Sequence, residues 1–356
     1  MYENLVFSGG GVKCISYVSI LKYIEENSQY FNVKKIAATS GGSIYALCYC
    51  LGYSYKDLSE LILHIKMDSL VDIDLANFLE NFGIDSGKKL EYFIKLMIKK
   101  KGNNENITLL EFFNKYQYTF TTTGVCLNTH KVEYFNYKTH PSMPLYMAIS
   151  ISCAIPFFYK NIEYENKTYV DGGLLNYYPI NLFEEELDKT IGFYIDSPKN
   201  SIQFKNSLEE YILNLFECVS DYMYFCKPLY QKYTIFINCE HFTSQFGAVE
   251  FTMDRDTKEK IINQSYTIIV DYFTTRQSND TSTSNNATSE DIQVASEDIQ
   301  ATSEDIQVAS EDIQATSEDI QVASEDIQVA SEDIQATSED IQATLTEDMQ
   351  VASEDI

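Results

Sequence analysis

The chain of 356 residues has no tryptophan, only six prolines and four histidines, and no CxxC pair. No run approaches the roughly 18 consecutive apolar residues that a membrane-spanning helix needs. The start, Met1-Tyr2-Glu3-Asn4, has no basic segment leading into an apolar stretch. The expectation is a cytoplasmic protein, neither integral to a membrane nor secreted. The eight cysteines lie inside apolar segments with no histidine at ligand spacing, so they read as free buried thiols of a reducing compartment. Clustered positive charge is scarce too: 26 Lys and Arg stand against 53 Asp and Glu, a net charge of -27. Residues 289–356 hold 20 of the acids and no Lys or Arg, which leaves 33 acids and 26 bases, net -7, for residues 1–288. Neither part offers the basic stripe that a phosphate backbone demands, so nucleic acid is excluded as a partner.

What the last 68 residues do contain is a repeat. From Ser289 the unit Ser-Glu-Asp-Ile-Gln-(Val/Ala)-(Ala/Thr) recurs every seven residues, until an extra residue at Leu345 shifts the final copies to Thr346 and Ser353. With Ile at position a of a heptad, only Ala or Thr falls at d and Asp at g; such a seam is thin and its flanks repel. Residues 289–356 are therefore expected to be a disordered acidic tail, available to an unknown protein partner. Residues 278–288 are its polar linker, and residues 1–277 form one domain.

That domain reads as alternating strands and helices. Leu5 to Ser8 enters a glycine turn followed by a helical apolar stripe from Ile15 to Ile24. The pattern repeats with Val33 to Ala38, the turn Thr39-Ser40-Gly41-Gly42, and a helix from Ile44 to Leu51. Residues 54–101 read as mainly helical, and Thr108-x-x-Glu111 as a capping box. Strands are expected at 120–125, 131–137, 190–195 and 233–238, and a closing helix at 257–273. Repeated strand-helix units imply a mostly parallel sheet in an α/β fold.

Glycines at strand-to-helix turns let backbone N–H groups converge on negative charge. Gly9-Gly10-Gly11-Val12-Lys13 is the first such turn. It lacks the Gly-Lys-Ser/Thr of a phosphate loop, and Cys14 stands where a dinucleotide fingerprint wants glycine. A turn that only packs helix on strand is the plain alternative. Ser40 has the setting of a nucleophile elbow, with Ala38 in place of the usual first glycine. A serine hydroxyl needs a base. Two are on offer: Asp171, framed by Tyr169-Val170-Asp171-Gly172-Gly173, or a Ser40, Asp171, His241 triad, although His241 has no supporting local pattern. Asp-Gly-Gly is also an ordinary tight turn.

Taken together and in order, Gly9-Gly10-Gly11-Val12-Lys13, Thr39-Ser40-Gly41-Gly42-Ser43, Ser152-Cys153-Ala154-Ile155-Pro156 and Asp171-Gly172-Gly173 resemble the patatin-like phospholipase family. The resemblance covers about residues 4–275 and none of the tail. It implies a three-layer α/β/α fold and a lipid acyl hydrolase of phospholipase A type, working through an acyl-serine intermediate. It further implies a Ser-Asp dyad with Ser40 as nucleophile and Asp171 as base. Gly9, Gly10, Gly11 and Lys13 would take the oxyanion-hole loop. No cofactor or metal is implied; calcium is not needed by such a dyad, and no Asp-x-Asp-x-Asp-Gly loop occurs. The rival from another class is an inactive patatin-like module that binds membranes or scaffolds a complex.

A lipid substrate also demands an interface. Residues 88–101 carry six lysines against Glu91 alone, interleaved with apolar residues. This is the pattern of a basic amphipathic helix that rests on anionic headgroups, or of one that packs by its apolar side and solvates its lysines. Peripheral contact with membrane or lipid aggregate is the expectation.

Overall fold

A computed structural model describes residues 1–72, 78, 82–196, 219, 228–238 and 253–283. The acidic repeat, the second half of the expected linker and His241 lie outside the described residues. The chain divides into two units, Met1–Gln277 and Ser278–Ile356.

In chain order the strands are β1 (Tyr2–Phe7), β2 (Phe31–Ala38), β3 (Gly83–Asp85), β4 (Thr119–Cys126), β5 (Lys131–Phe135), β6 (Phe157–Tyr159), β7 (Ile162–Tyr164), β8 (Lys167–Asp171), β9 (Thr190–Ile195) and β10 (Thr234–Ile237). The α-helices are α1 (Val18–Glu26), α2 (Gly41–Cys50), α3 (Tyr55–His64), α4 (Lys88–Lys100), α5 (Leu109–Tyr116), α6 (Leu145–Ser152), α7 (Pro228–Gln231) and α8 (Arg255–Thr283). The main sheet runs β10-β9-β1-β2-β4-β8-β7, with β5 paired to β4. Five strands, β10 through β4, are parallel neighbours; the pairings of β4 with β5 and β8, and of β8 with β7, are antiparallel.

The central strands end in apolar runs, Leu5–Phe7 in β1 and Ile36–Ala38 in β2, because both faces are covered there. Leu5, Phe7, Ile36 and Ala38 face the larger core, which holds α1, α2 and residues Ile261 and Ile269 of α8. Val6 and Ala37, one residue out of phase, face a smaller core with Tyr178, Ile180, Phe183 and Leu187. Side chains at alternate strand positions thus enter different layers, which gives the expected three-layer α/β/α arrangement.

Thr108 and Glu111 form the expected capping box at the start of α5, with Thr108 Oγ1 accepting from the Glu111 N–H and Glu111 from the Thr108 N–H. Three expectations need correction. Residues 11–17 form a tight 3-10 turn before α1 begins at Val18. Residues 54–101, expected to be mainly helical, also contain the strand β3, which pairs with β6 more than 70 residues on. The closing helix continues to Thr283, through the first half of the expected linker. Residues 274–283 contain no Gly or Pro to stop it, and extending an existing helix costs little.

Candidate active site

Ser40 sits between the last residues of β2 and the first turn of α2. Its backbone is at φ 53 and ψ -136, a conformation that L residues other than glycine seldom adopt. The turn is held from several sides. The Ser40 N–H donates to Ser152 Oγ at 2.9 Å, and the Ser43 N–H donates to the Ser40 carbonyl at 2.8 Å. Thr39 Oγ1 lies 2.8 Å from Thr123 Oγ1 and donates to the Asn176 carbonyl at 2.9 Å. Gly42 has no alternative here, because a Cβ would lie 2.3 Å from the Ser8 carbonyl oxygen. The strain at Ser40 is therefore fixed by packing of the turn against β1 and β4.

Asp171 ends β8 opposite Gly124 of β4. Its N–H donates to the Ala154 carbonyl at 2.8 Å. One carboxylate oxygen, Oδ1, accepts the Gly173 N–H at 2.6 Å; the other, Oδ2, accepts Ser40 Oγ–H at 2.7 Å. Only 1% of Asp171 is exposed. Burial pushes its pKa up to about 7, against the opposing pull of the hydrogen bonds from Ser40 and Gly173. Gly172 lets the acid turn away from the strand, since a Cβ there would sit 2.0 Å from Thr123 Oγ1.

The glycine loop flanks the same serine. The Gly9 N–H is committed to the Tyr177 carbonyl at 2.9 Å, so Gly9 anchors the loop. No acceptor among the described residues takes the N–H of Gly10 or Gly11. Gly10 has φ +153 and Gly11 φ +55, and Gly11 borders the same cavity as Ser40. Lys13 is buried, its N–H bonded to the Gly10 carbonyl at 3.0 Å. Cys14, in place of a loop glycine, is buried too, its sulfur beside Gly10 and Gly41.

The cavity is mainly apolar: Ile44, Leu58, Ile62, Met97 and Ile155 contribute from α2, α3, α4 and the loop after α6, and Tyr45 and Tyr159 join Ser40 in its lining. Cys48 and Cys153 also line it. Burial raises both thiols, Cys48 to about 12 and Cys153 further, so neither supplies a thiolate to compete with Ser40. This arrangement can bring a hydrophobic chain to a serine hydroxyl paired with a buried carboxylate.

The structure therefore brings together Ser40, Asp171 and the Gly9–Gly11 loop, to which the backbone of buried Lys13 is bonded. It brings no histidine into that group among the described residues. His64 Nδ1 meets the Glu60 carbonyl at the end of α3, His130 is exposed, and His140 lies 3.6 Å from Glu133. No set of three His, Cys, Asp or Glu side chains is grouped as for a metal among the described residues. Sequence reasoning assigned no task to Ser152, whose hydroxyl holds the elbow, or to α3 and α4 as cavity walls. Ser152 does stand in one of the quoted motifs. The walls carry no local signature beyond amphipathic spacing.

The sequence model of the patatin-like phospholipase family matches residues 5–183. An uncharacterized protein of Acanthamoeba polyphaga mimivirus is 32% identical over 198 residues, 53% of this chain and 64% of that protein. A protein named as a probable lipid hydrolase in Invertebrate iridescent virus 6 is 26% identical over 189 residues, 51% of this chain and 63% of its own. In both cases the chain spans less than two thirds of the relative's length. Among solved structures, VipD from Legionella pneumophila superposes with a TM-score of 0.54 at 14% identity, covering 77% of this chain and 67% of that one. At that identity the likeness concerns the fold.

Proposed function

The chain belongs to the patatin-like phospholipase family, and we propose that it is a lipid acyl hydrolase cleaving fatty acyl esters of phospholipids with Ser40 and Asp171 as a two-residue catalytic unit. The observation that carries this reading is the 2.7 Å hydrogen bond from Ser40 Oγ to a buried carboxylate, beside a mainly apolar cavity.

Asp171 Oδ2 accepts the proton of Ser40 Oγ as that oxygen attacks the acyl carbonyl. Burial makes the acid a stronger base than an exposed aspartate, and Gly173 fixes its other oxygen so that Oδ2 points at the serine. The tetrahedral oxyanion is stabilised by the N–H groups of Gly10 and Gly11, whose positive-φ backbone, open to glycine, is oriented before substrate arrives. Collapse breaks the ester bond; the lysophospholipid alkoxide leaves with the proton from Asp171, and the acyl group remains on Ser40. Asp171 then takes a proton from water as its oxygen attacks the acyl carbon, and on collapse returns that proton to the departing Ser40 Oγ, releasing the fatty acid and free Ser40. The acyl chain lies along the cavity of Ile44, Leu58 and Met97 during both steps. The protein meets its substrate as a peripheral visitor to lipid aggregates; among the described residues no helix is long and apolar enough to cross a membrane.

Release of labelled fatty acid from a diacyl phospholipid tests the reading. Ser40→Ala and Asp171→Asn are each expected to lower turnover by roughly 1,000-fold or more, and His241→Ala to leave it unchanged. A wild-type protein that binds lipid and hydrolyses none would make the chain a binding module instead. Loss of turnover in His241→Ala, with Asp171→Asn spared, would replace the dyad.

A further inference from the structure

Among the described residues seven non-glycine residues have positive φ, and two of them are large and apolar: Phe82 at φ 54 and Phe157 at φ 66. A bulky residue in that region is strained, and persists only where surrounding structure enforces it. Core packing is not what the strain provides, because Phe82 is 64% exposed and Phe157 50% exposed. They are neighbours along one ladder. Phe82 precedes Gly83, the residue paired with Phe157 across the short parallel ladder of β3 and β6. The ladder is rigidly placed: Gly83 packs so tightly on the Tyr159 backbone that a Cβ would approach within 2.4 Å, and Ile84 and Phe158 beneath it are buried.

This aromatic pair stands at the catalytic end of the molecule. Phe157 follows Ile155, which lines the cavity, and Ala154, whose carbonyl holds the Asp171 N–H. Six residues after Phe82, α4 begins. Leu90, Phe93 and Met97 of this helix line the cavity. Its other side presents Lys88, Lys89, Tyr92, Lys99 and Lys100 to solvent, with Tyr92 68% exposed. Across residues 88–101 six lysines meet three acids: Glu91 holds Lys95, Asp72 holds Lys89, and Glu105 lies 3.8 Å from Lys99. Lys88 and Lys100 have no ion-pair partner among the described residues.

We propose that Phe82, Phe157, Tyr92 and the exposed lysines of α4 form the surface by which the protein docks on an anionic phospholipid bilayer, with the two phenylalanines entering the interface and the lysines meeting headgroup phosphates. This rests on the lipid-hydrolase reading and says where the lipid surface lies relative to the cavity. Aromatic side chains flanked by basic ones suit the boundary between acyl chains and headgroups. A second copy of the chain would oppose lysines with lysines. The same helix forms both the cavity wall and the docking face, so lipid would be drawn from the bilayer beside the cavity rather than through bulk water.

Cosedimentation of the full chain, in the Ser40→Ala form so that binding is read without turnover, tests this with vesicles of phosphatidylcholine alone or mixed with phosphatidylserine. The Ser40→Ala chain should prefer the anionic vesicles, and the preference should fade with salt. Adding Phe82→Asn and Phe157→Asn, a residue that tolerates positive φ, should weaken binding to anionic vesicles about tenfold or more. Lys88→Gln with Lys100→Gln should weaken it about 25-fold, near fivefold for each charge. Thermal melts confirm that each variant is folded. Unchanged vesicle binding in both folded variants overturns the assignment, as does equal affinity of Ser40→Ala for neutral and anionic vesicles. Lipid-free self-association that these substitutions abolish would give the surface to a second copy and also overturn it. Because binding is read without Ser40, vesicle binding lost in these variants supports the docking surface even if the wild type proves to hydrolyse nothing.

Discussion

Asp171 must be dry enough to be basic and yet charged when substrate arrives, and these demands oppose each other. Its pKa of about 7 means that near neutrality a substantial fraction of molecules carry a protonated, idle acid. The rate kcat/KM should therefore rise about tenfold per pH unit on the acid side and level off above about pH 7. The same shift affects folding. An unfolded chain releases this proton near pH 4, whereas the folded chain keeps it until about 7. The folded state thus holds the extra proton between those values, and its stability from this group is greatest at low pH and declines as pH rises through the window. Comparing wild type with Asp171→Asn by urea unfolding at pH 5 and pH 7.5 checks the sign. Wild type should gain relative to the variant on going to pH 5, by roughly 1.4 kcal/mol for each unit crossed. A constant difference between the two proteins would mean that Asp171 titrates like an exposed carboxyl.

At the scale of elements, the cavity wall depends on a residue far from it in sequence. Lys258 of α8 is nearly wholly buried and donates to the carbonyls of Ile62 and Ile65, at the end of α3. A lysine at a helix C-terminus satisfies orphan carbonyls and suits the dipole there. Ile62 and Ile65 both line the cavity. Lys258→Met keeps the length and removes the donors, leaving the carbonyls unsatisfied at a cost of about 1–3 kcal/mol. We expect a lower midpoint in urea and, for long-chain esters, a raised KM with kcat little changed. The elbow, by contrast, was legible from the sequence because each part is local: a strand, small residues, a serine, a helix. Asp171 was legible for the same reason, its two following glycines marking a close backbone approach. Lys258 was not, since a lysine in an amphipathic helix reads as solvated unless the carbonyls it caps are known. The pairing of β3 with β6 was equally hidden, because three-residue strands have too little alternation to show a period. Ser152 offers no local sign that its hydroxyl would meet the Ser40 N–H across 112 residues of chain.

Over the whole molecule, the charge is divided unevenly: 20 of the 53 acids fall within residues 289–356, where there is no base. An anionic surface repels such a segment over about a Debye length, roughly 10 Å at 0.1 M salt and 30 Å at 0.01 M. Ending the chain after Thr288 should therefore raise turnover on anionic vesicles at low salt, with the gain vanishing at high salt; equal rates at low salt would make the repeat neutral toward lipid. A different consequence follows from β9. The match to the family ends at residue 183, yet β9 pairs with β1, and the Ile195 N–H is held by Ser8 Oγ just ahead of the glycine loop. A protein cut at the boundary of the match would leave β1 with unpaired N–H and C=O groups along one side, flanked by Val6 and Phe7. Such an edge invites pairing with further chains. β9 therefore serves as an internal cover against aggregation for the strand that leads into the site.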